Sequence, residues 1–194
     1  MWSAPELSPD EQIQRDRQQL ERALQAADQT SVLELGHGVR HDVAAVFQQL
    51  FGTLRPLVVA DVNTFTAAGK DVLDSLARGG CACADPYIFD QSELKADFRY
   101  VTALEQVLSE CEALVPVAVG SGTINDLTKL AAHRSGRRYM AVATAASMDG
   151  YSSYGASITR DGFKQTMACK APAGIVADID ILVSAPADMN SSGK

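Results

Sequence analysis

Apolar residues along this chain gather in short continuous runs, separated by longer stretches in which they recur every three or four positions. The runs Val32 to Leu35, Leu57-Val58-Val59-Ala60 before Asp61, Ala113 to Val119 and Tyr139 to Ala143 do not alternate with polar residues. An alternating strand has one wet face, whereas a strand apolar throughout is buried on both, as in a parallel sheet covered by helices on either side. Between the runs, helical spacing is carried by Val43, Val46, Leu50 and Phe51, by Ala67 to Leu76, and by Leu94, Phe98, Val101, Leu104 and Leu108 within Glu93 to Cys111. Tyr87-Ile88-Phe89 is a brief strand candidate, and Ile175 to Ala177 and Ile181 to Val183 are the last ones. Pro116 weakens the start of its run as a strand, because proline donates nothing to a ladder. The pattern predicts an α/β fold, a Rossmann-like parallel sheet flanked by helices.

Turn and cap residues add two elements. Ser8-Pro9-Asp10-Glu11 reads as a helix start, with Ser8 as cap, Pro9 in the first helical position and two acids at the positive end of the dipole. That helix should run to about Asp28 with a thin apolar stripe of Ile13, Leu20, Ala23, Leu24 and Ala27, which suits the surface or contact with another subunit of a homo-oligomer. Arg160-Asp161-Gly162, between Ala156 to Thr159 and Phe163 to Cys169, predicts a small β-hairpin, since Asp-Gly tolerates the backbone angles a tight turn needs.

Composition narrows the partners. The 194 residues are 46% apolar and 21% charged, as in an ordinary globular chain, and the length fits one domain. A net charge of -7 argues against nucleic acid, whose phosphates demand clustered Lys and Arg. Met1 to Asp10 has no basic and apolar secretory signal, and no stretch approaches the roughly 20 apolar residues of a membrane span, so no membrane span and a cytoplasmic location are expected. Cys81, Cys83, Cys111 and Cys169 have neither the density of a disulfide framework nor the spacing of a zinc ribbon and are expected reduced.

Candidate chemistry begins at Gly120-Ser121-Gly122-Thr123-Ile124-Asn125-Asp126-Leu127, between a predicted strand and a helix running to about Arg134. A strand, two glycines and a helix start bring bare backbone N–H groups and the positive end of a dipole to one spot, the physics of a phosphate site. Asn125 stands where the usual pattern has its third glycine, so on spacing alone a nucleotide site and a structural turn both stand. A second cluster, Thr144, Ala145, Ala146, Ser147, Asp149 and Ser153, follows the next strand, where ligands of open parallel sheets bind. Asp61 also ends a strand and offers a carboxylate to a ribose. It precedes the glycine turn instead of following it by about 20 residues, so the ordinary Rossmann order does not apply.

Gly-Ser-Gly-Thr-Ile-Asn-Asp-Leu at 120 to 127, with Thr-Ala-Ala-Ser-Met-Asp-Gly-Tyr at 144 to 151, resembles sn-glycerol-1-phosphate dehydrogenase, within the superfamily of glycerol dehydrogenase, iron-containing alcohol dehydrogenases and dehydroquinate synthase. The resemblance runs from about Val32 to the end. It implies reduction of dihydroxyacetone phosphate, a small phosphorylated three-carbon substrate, to glycerol 1-phosphate with NADH or NADPH. Residue by residue, Asp61 would meet the adenosine ribose, Gly120, Ser121, Gly122, Thr123, Ile124, Asn125 and Asp126 the pyrophosphate, Thr144, Ala145, Ala146, Ser147 and Ser153 the rest of the dinucleotide, and Asp149 the substrate. Asp61 would repel a 2'-phosphate, which favours NADH, although the family accepts both cofactors. The expected division is a peripheral helix over residues 1–30, a dinucleotide-binding domain over 31–185, and over 186–194 the beginning of a helical domain.

The family binds zinc, nickel or iron through one Asp and two His, and the metal polarises the substrate oxygen. Those ligands belong to the segment after Ala187-Asp188-Met189-Asn190-Ser191-Ser192-Gly193 and to a helical domain beyond it. The histidines here are His37, His41 and His133. His37 and His41, four apart, fit one helix face but have no third ligand, and His133 suits the negative end of its helix. The expectation is a chain without the metal centre or its helical domain, inactive alone. The alternatives are a stand-alone nucleotide-binding or regulatory module, a fragment of a related glycerol or alcohol dehydrogenase, or a scaffold in which the glycine turn is structural.

Overall fold

The computed structural model describes residues 8–91, 93–146 and 150–186. Helix α1 (Pro9–Ala26) leads to β1 (Val32–Gly36), a 3-10 turn (Val39–Asp42) and α2 (Val43–Phe51). Strand β2 (Arg55–Asp61) is followed by α3 (Val62–Thr64), which runs through a π-helical turn (Phe65–Gly69) into α4 (Lys70–Arg78). Then come β3 (Tyr87–Phe89), α5 (Phe98–Ser109), β4 (Leu114–Gly120), α6 (Gly122–Arg134) and β5 (Met140–Ala143), the hairpin β6 (Ala156–Arg160) and β7 (Phe163–Met167), and finally β8 (Gly174–Asp178) and α7 (Ile179–Ser184).

Six strands form one sheet in the order β1-β8-β5-β4-β2-β3, every neighbouring pair parallel. From β2 the chain steps outward to β3, and from β4 it steps the other way to β5. The winding therefore reverses between β2 and β4, and their carboxyl ends flank the gap where open sheets of this kind hold ligands.

The continuous apolar runs are explained by cover on both faces. Val58, Ala60, Val117, Val119 and Val142 pack with Phe47 of α2 and Val72 and Leu76 of α4. The alternate positions Leu57, Val59, Ala118 and Ala141 pack with Leu104 and Leu108 of α5, Leu127 and Leu130 of α6, and Ile158 of the hairpin. Every residue of β4 is buried, whereas edge strand β1 leaves Glu34 and Leu35 exposed. In α1 the described side chains are exposed apart from half-buried Leu24, and the expected cap is present: Ser8 and Glu11 form a reciprocal capping box.

Several boundaries differ from the sequence expectation. The run Ile181 to Val183 is helical, not a strand, because the Asp178 carboxylate accepts the Asp180 N–H and starts α7 there. Helix α5 starts at Phe98 rather than Glu93, with Asp97 as its cap, and α1 ends at Ala26, two residues short of Asp28. Pro116 does sit in a central strand, one residue before β5 joins the ladder at Val117–Met140 and opposite Leu57 of β2. The hairpin turn is as expected: Arg160 pairs with Phe163, and Asp161 (φ 54°) and Gly162 (φ 82°) both take the left-handed backbone of a two-residue type I' turn.

Candidate functional site at the carboxyl edge of the sheet

Strands β2 and β4 are aligned with Val59 opposite Ala118. Two residues further on, β2 ends in Asp61 and β4 ends in Gly120, so two of the sequence-predicted residues reach the same edge side by side. A cleft of about 610 Å³ opens there, lined by Asp61, Asn63, Asp90, Glu93, Ser121 and Thr123 among others. Asp61 also caps α3: its Oδ1 accepts the Thr64 N–H at 2.8 Å, and the Thr64 hydroxyl accepts the Asp61 N–H at 3.1 Å. This reciprocal box, legible as Asp-x-x-Thr and not anticipated, fixes the orientation of the carboxylate at the lip of the cleft.

The glycine turn divides into parts with different tasks. A Cβ on Gly120 would fall 2.5 Å from Ile124 Cβ and within 2.9 Å of both its γ-carbons. The local reason for this glycine is the tight passage from strand to helix, independent of any ligand. Ser121 takes the N-cap position of α6 in extended backbone, yet its side chain makes no cap hydrogen bond. The first N–H groups of α6 thus lack the N-cap side-chain acceptor found at α1, α3, α5 and α7, as those of α2 and α4 also do. Ile124 and Asn125 point into the core. Asn125 Oδ1 accepts from the Tyr139 hydroxyl at 3.1 Å, while its Nδ2 is buried without a partner among the described residues. Asp126 turns to the hairpin and accepts the Ser157 N–H at 3.1 Å; burial pushes its carboxyl above the usual range. Of residues 120 to 126, Ser121, Gly122, Thr123 and Asp126 are partly exposed, and Ser121 and Thr123 line the cleft beside Asp61.

The second loop is tied to the first. The Thr144 N–H donates to Gly120 O at 3.3 Å, and Thr144 and Ala145 are buried. The Tyr151 hydroxyl lies 3.1 Å from Gly120 O and 3.0 Å from Ala145 O, bridging both loops. Burial pushes this phenol up to about 12, so it stays a neutral donor. Ala146 ends the described part of the loop, and Ser147 and Asp149 lie outside the described residues. Ser153 is exposed and turned inward on its own turn, its hydroxyl donating to Gly150 O at 2.9 Å.

Lys129 was missed by sequence reasoning. Its side chain is 1% exposed, and Nζ donates to Gly150 O, Ser153 O and Gly155 O at 3.0 to 3.2 Å. All three ammonium protons are thereby used, fastening the loop to α6; burial lowers the pKa, partly offset by nearby Asp126. The signal available in the sequence was a lysine inside the apolar stretch Leu127 to Ala132.

At the far end of the same edge, His37 and His41 do not share a helix face. His37 precedes the 3-10 turn, with Nδ1 2.6 Å from Asp180 Oδ1, and His41 lies within the turn. Asp178, fully buried, accepts N–H groups from Gly38 (3.2 Å), Arg40 (3.0 Å) and Asp180 (3.0 Å) and the Arg40 guanidinium (2.8 Å). Burial by itself would raise the Asp178 pKa; the four hydrogen bonds outweigh it and hold the carboxyl below its ordinary value. Among the described residues no group of three or more His, Cys, Asp or Glu is arranged to hold a metal ion, and the four cysteines are free.

A doubly wound parallel sheet flanked by helices, with a small antiparallel hairpin, defines an open α/β fold. Residues 34–186 match the family described as iron-containing alcohol dehydrogenase, and the chain belongs to that family. It is 38% identical over 144 residues to the glycerol-1-phosphate dehydrogenase (NAD(P)+) of Halalkalibacterium halodurans, a match covering 73% of this chain and 36% of the relative. With the enzyme of the same name from Haloarcula marismortui it shares 31% identity over 162 residues, covering 82% and 44% of the two chains. The chain thus spans well under half the length of these relatives. Among solved structures, NADH-dependent butanol dehydrogenase A from Thermotoga maritima superposes with a TM-score of 0.75 at 15% identity, covering 86% of this chain and 47% of that one. Glycerol dehydrogenase from Schizosaccharomyces pombe does so with a TM-score of 0.69 at 24% identity, covering 84% and 41%. These likenesses establish the fold. No helix among the described residues is long and apolar enough to cross a membrane.

Proposed function

We propose that this chain is the nucleotide-binding part of an NAD(P)-dependent glycerol-1-phosphate dehydrogenase-type oxidoreductase. One observation carries the reading: the mouth of α6, free of a side-chain cap, opens at the switch point beside Asp61. Unsatisfied N–H groups and the positive end of the dipole favour a diphosphate there, and a carboxylate at the next strand end accepts hydrogen bonds from ribose hydroxyls. Tyr151 and Lys129 tie the second loop to the glycine turn and to α6, so that turn is braced without a ligand. When bound, NADH or NADPH supplies the hydride that reduces a carbonyl such as that of dihydroxyacetone phosphate.

The described residues offer no ligand set for a metal. We further propose that the chain binds the dinucleotide without completing hydride transfer by itself. Titrating the chain with NADH, read by nicotinamide fluorescence, should give saturable binding that Gly122→Val abolishes, because the added side chain would occupy the path of the diphosphate. The same sample should not oxidise NADH when given dihydroxyacetone phosphate and zinc or nickel. An unchanged dissociation constant in Gly122→Val would overturn the site, and steady turnover would overturn the division of labour.

A further inference from the structure

We infer that Asp90 and Glu93, standing with Asp61, make this cleft selective for a dinucleotide whose adenosine ribose carries no phosphate, NADH over NADPH; the inference rests on the nucleotide reading above. Strand β3 pairs with β2 so that Asp61 lies opposite Phe89, and Asp90 follows at the same edge. The Gln91 amide donates to Asp90 Oδ1 at 2.5 Å and restrains it. Asp61, Asp90 and Glu93 all line the cleft of about 610 Å³, and among the described residues its lining includes no Lys, Arg or His. Lys95 and Lys164, together with Asp126, line an adjoining cleft of about 400 Å³ that shares Leu94 and Thr123 with the first. The mouth of α6 therefore has one side with carboxylates alone and one side that also carries two lysines.

The two sides suit different ends of one ligand. Ionised carboxylates only accept hydrogen bonds, and a ribose with both hydroxyls free offers two donors. A 2'-phosphate removes one donor and brings about 1.5 to 2 negative charges at pH 7. In a cleft of about 610 Å³ lined by all three carboxylates, that charge is opposed over distances comparable to the roughly 10 Å screening length of 0.1 M salt. The relatives at 31 to 38% identity are named for both cofactors, which makes selectivity a property to be sought in this chain's own side chains.

Parallel fluorescence titrations with NADH and NADPH test this on the 194-residue chain. At low salt the NADPH dissociation constant should exceed that of NADH by about tenfold or more, and the ratio should shrink as salt rises towards about 1 M, where screening reaches about 3 Å. Asp90→Asn with Glu93→Gln should lower the ratio at least about threefold by removing two of the opposing charges. Thermal unfolding confirms that the variant folds, and the ratio is internally controlled because both ligands use the same preparation. Equal affinity for the two nucleotides, or a ratio unmoved by the double substitution, overturns the inference while leaving the nucleotide site standing. A ratio that collapses only with Asp61→Asn assigns selectivity to Asp61 and overturns the role of the other two acids. Binding of neither nucleotide at millimolar concentration overturns the nucleotide reading itself, and this inference with it.

Discussion

Gly120→Ala tests whether the first glycine of the turn serves the fold before it serves a ligand. The new methyl would sit 2.5 Å from Ile124 Cβ, 2.7 Å from Cγ1 and 2.9 Å from Cγ2, separations that real Cβ atoms do not tolerate. Ile124 is 1% exposed and β-branched, so its Cβ moves only if the first turn of α6 moves. Overpacking of this kind costs about 1 to 3 kcal/mol, against a gain of about 0.4 to 1 kcal/mol from the stiffer unfolded chain. A net loss of about 1 to 2 kcal/mol corresponds to roughly 2 to 8 °C in Tm for a chain of this size. Gly174→Ala is the control. Its methyl would also approach an atom at 2.5 Å, but that atom is Leu50 Cδ1, the far end of a flexible side chain, so its Tm should stay within about 2 °C of the parent. Thermal unfolding followed by circular dichroism reads both. A Gly120→Ala chain as stable as the parent, or a Gly174→Ala chain that loses as much, would refute the reasoning.

Lys129→Met removes the ammonium that serves Gly150, Ser153 and Gly155 carbonyls, and three acceptors, that of Gly155 buried, lose their charged donor; the expected cost is about 1 to 3 kcal/mol in urea unfolding, and a loss under about 0.5 kcal/mol would show that the loop is held otherwise. Asp178 is held below its ordinary pKa by Arg40 and three backbone N–H groups, so on acidification the unfolded chain takes up the proton first and the Asp178 contribution, full above about pH 4, is lost as pH falls through the folded-state value. The stability difference between the parent and Asp178→Asn should therefore narrow from pH 5 to pH 3; a constant difference would mean that charge at this site does not matter.

The layer plan was legible because burial on both faces leaves a composition trace. Leu57 to Ala60 and Tyr139 to Ala143 are apolar without alternation, and no other place in a soluble fold accepts such strands in number. The Asp161-Gly162 turn was legible for a backbone reason, positive φ at two adjacent residues. Ile181 to Val183 was misassigned because a short apolar run carries no period of its own, and what decided it was the buried Asp178 cap three residues earlier. Site residues were visible as a set of types, Gly, Ser, Thr and Asp at the ends of strands, whereas their orientations were not. Nothing in the string 120 to 126 tells that Asn125 turns to Tyr139 and Asp126 to Ser157 while Ser121 and Thr123 line the cleft beside Asp61.

By itself, the order of residues determined which segments would be strands buried on both sides, where a glycine turn would meet a helix, and which family those two loops resemble. Those properties are local, set by hydrophobic period and backbone freedom. Only the tertiary structure decided that Asp61, Asp90 and Glu93, drawn from different strand ends, share one cleft with Ser121 and Thr123, and that Lys129 and Tyr151 clamp the loops beside it. Strand order is fixed by packing between segments far apart in the chain, and neighbours across a sheet leave no mark on the spacing within any one of them.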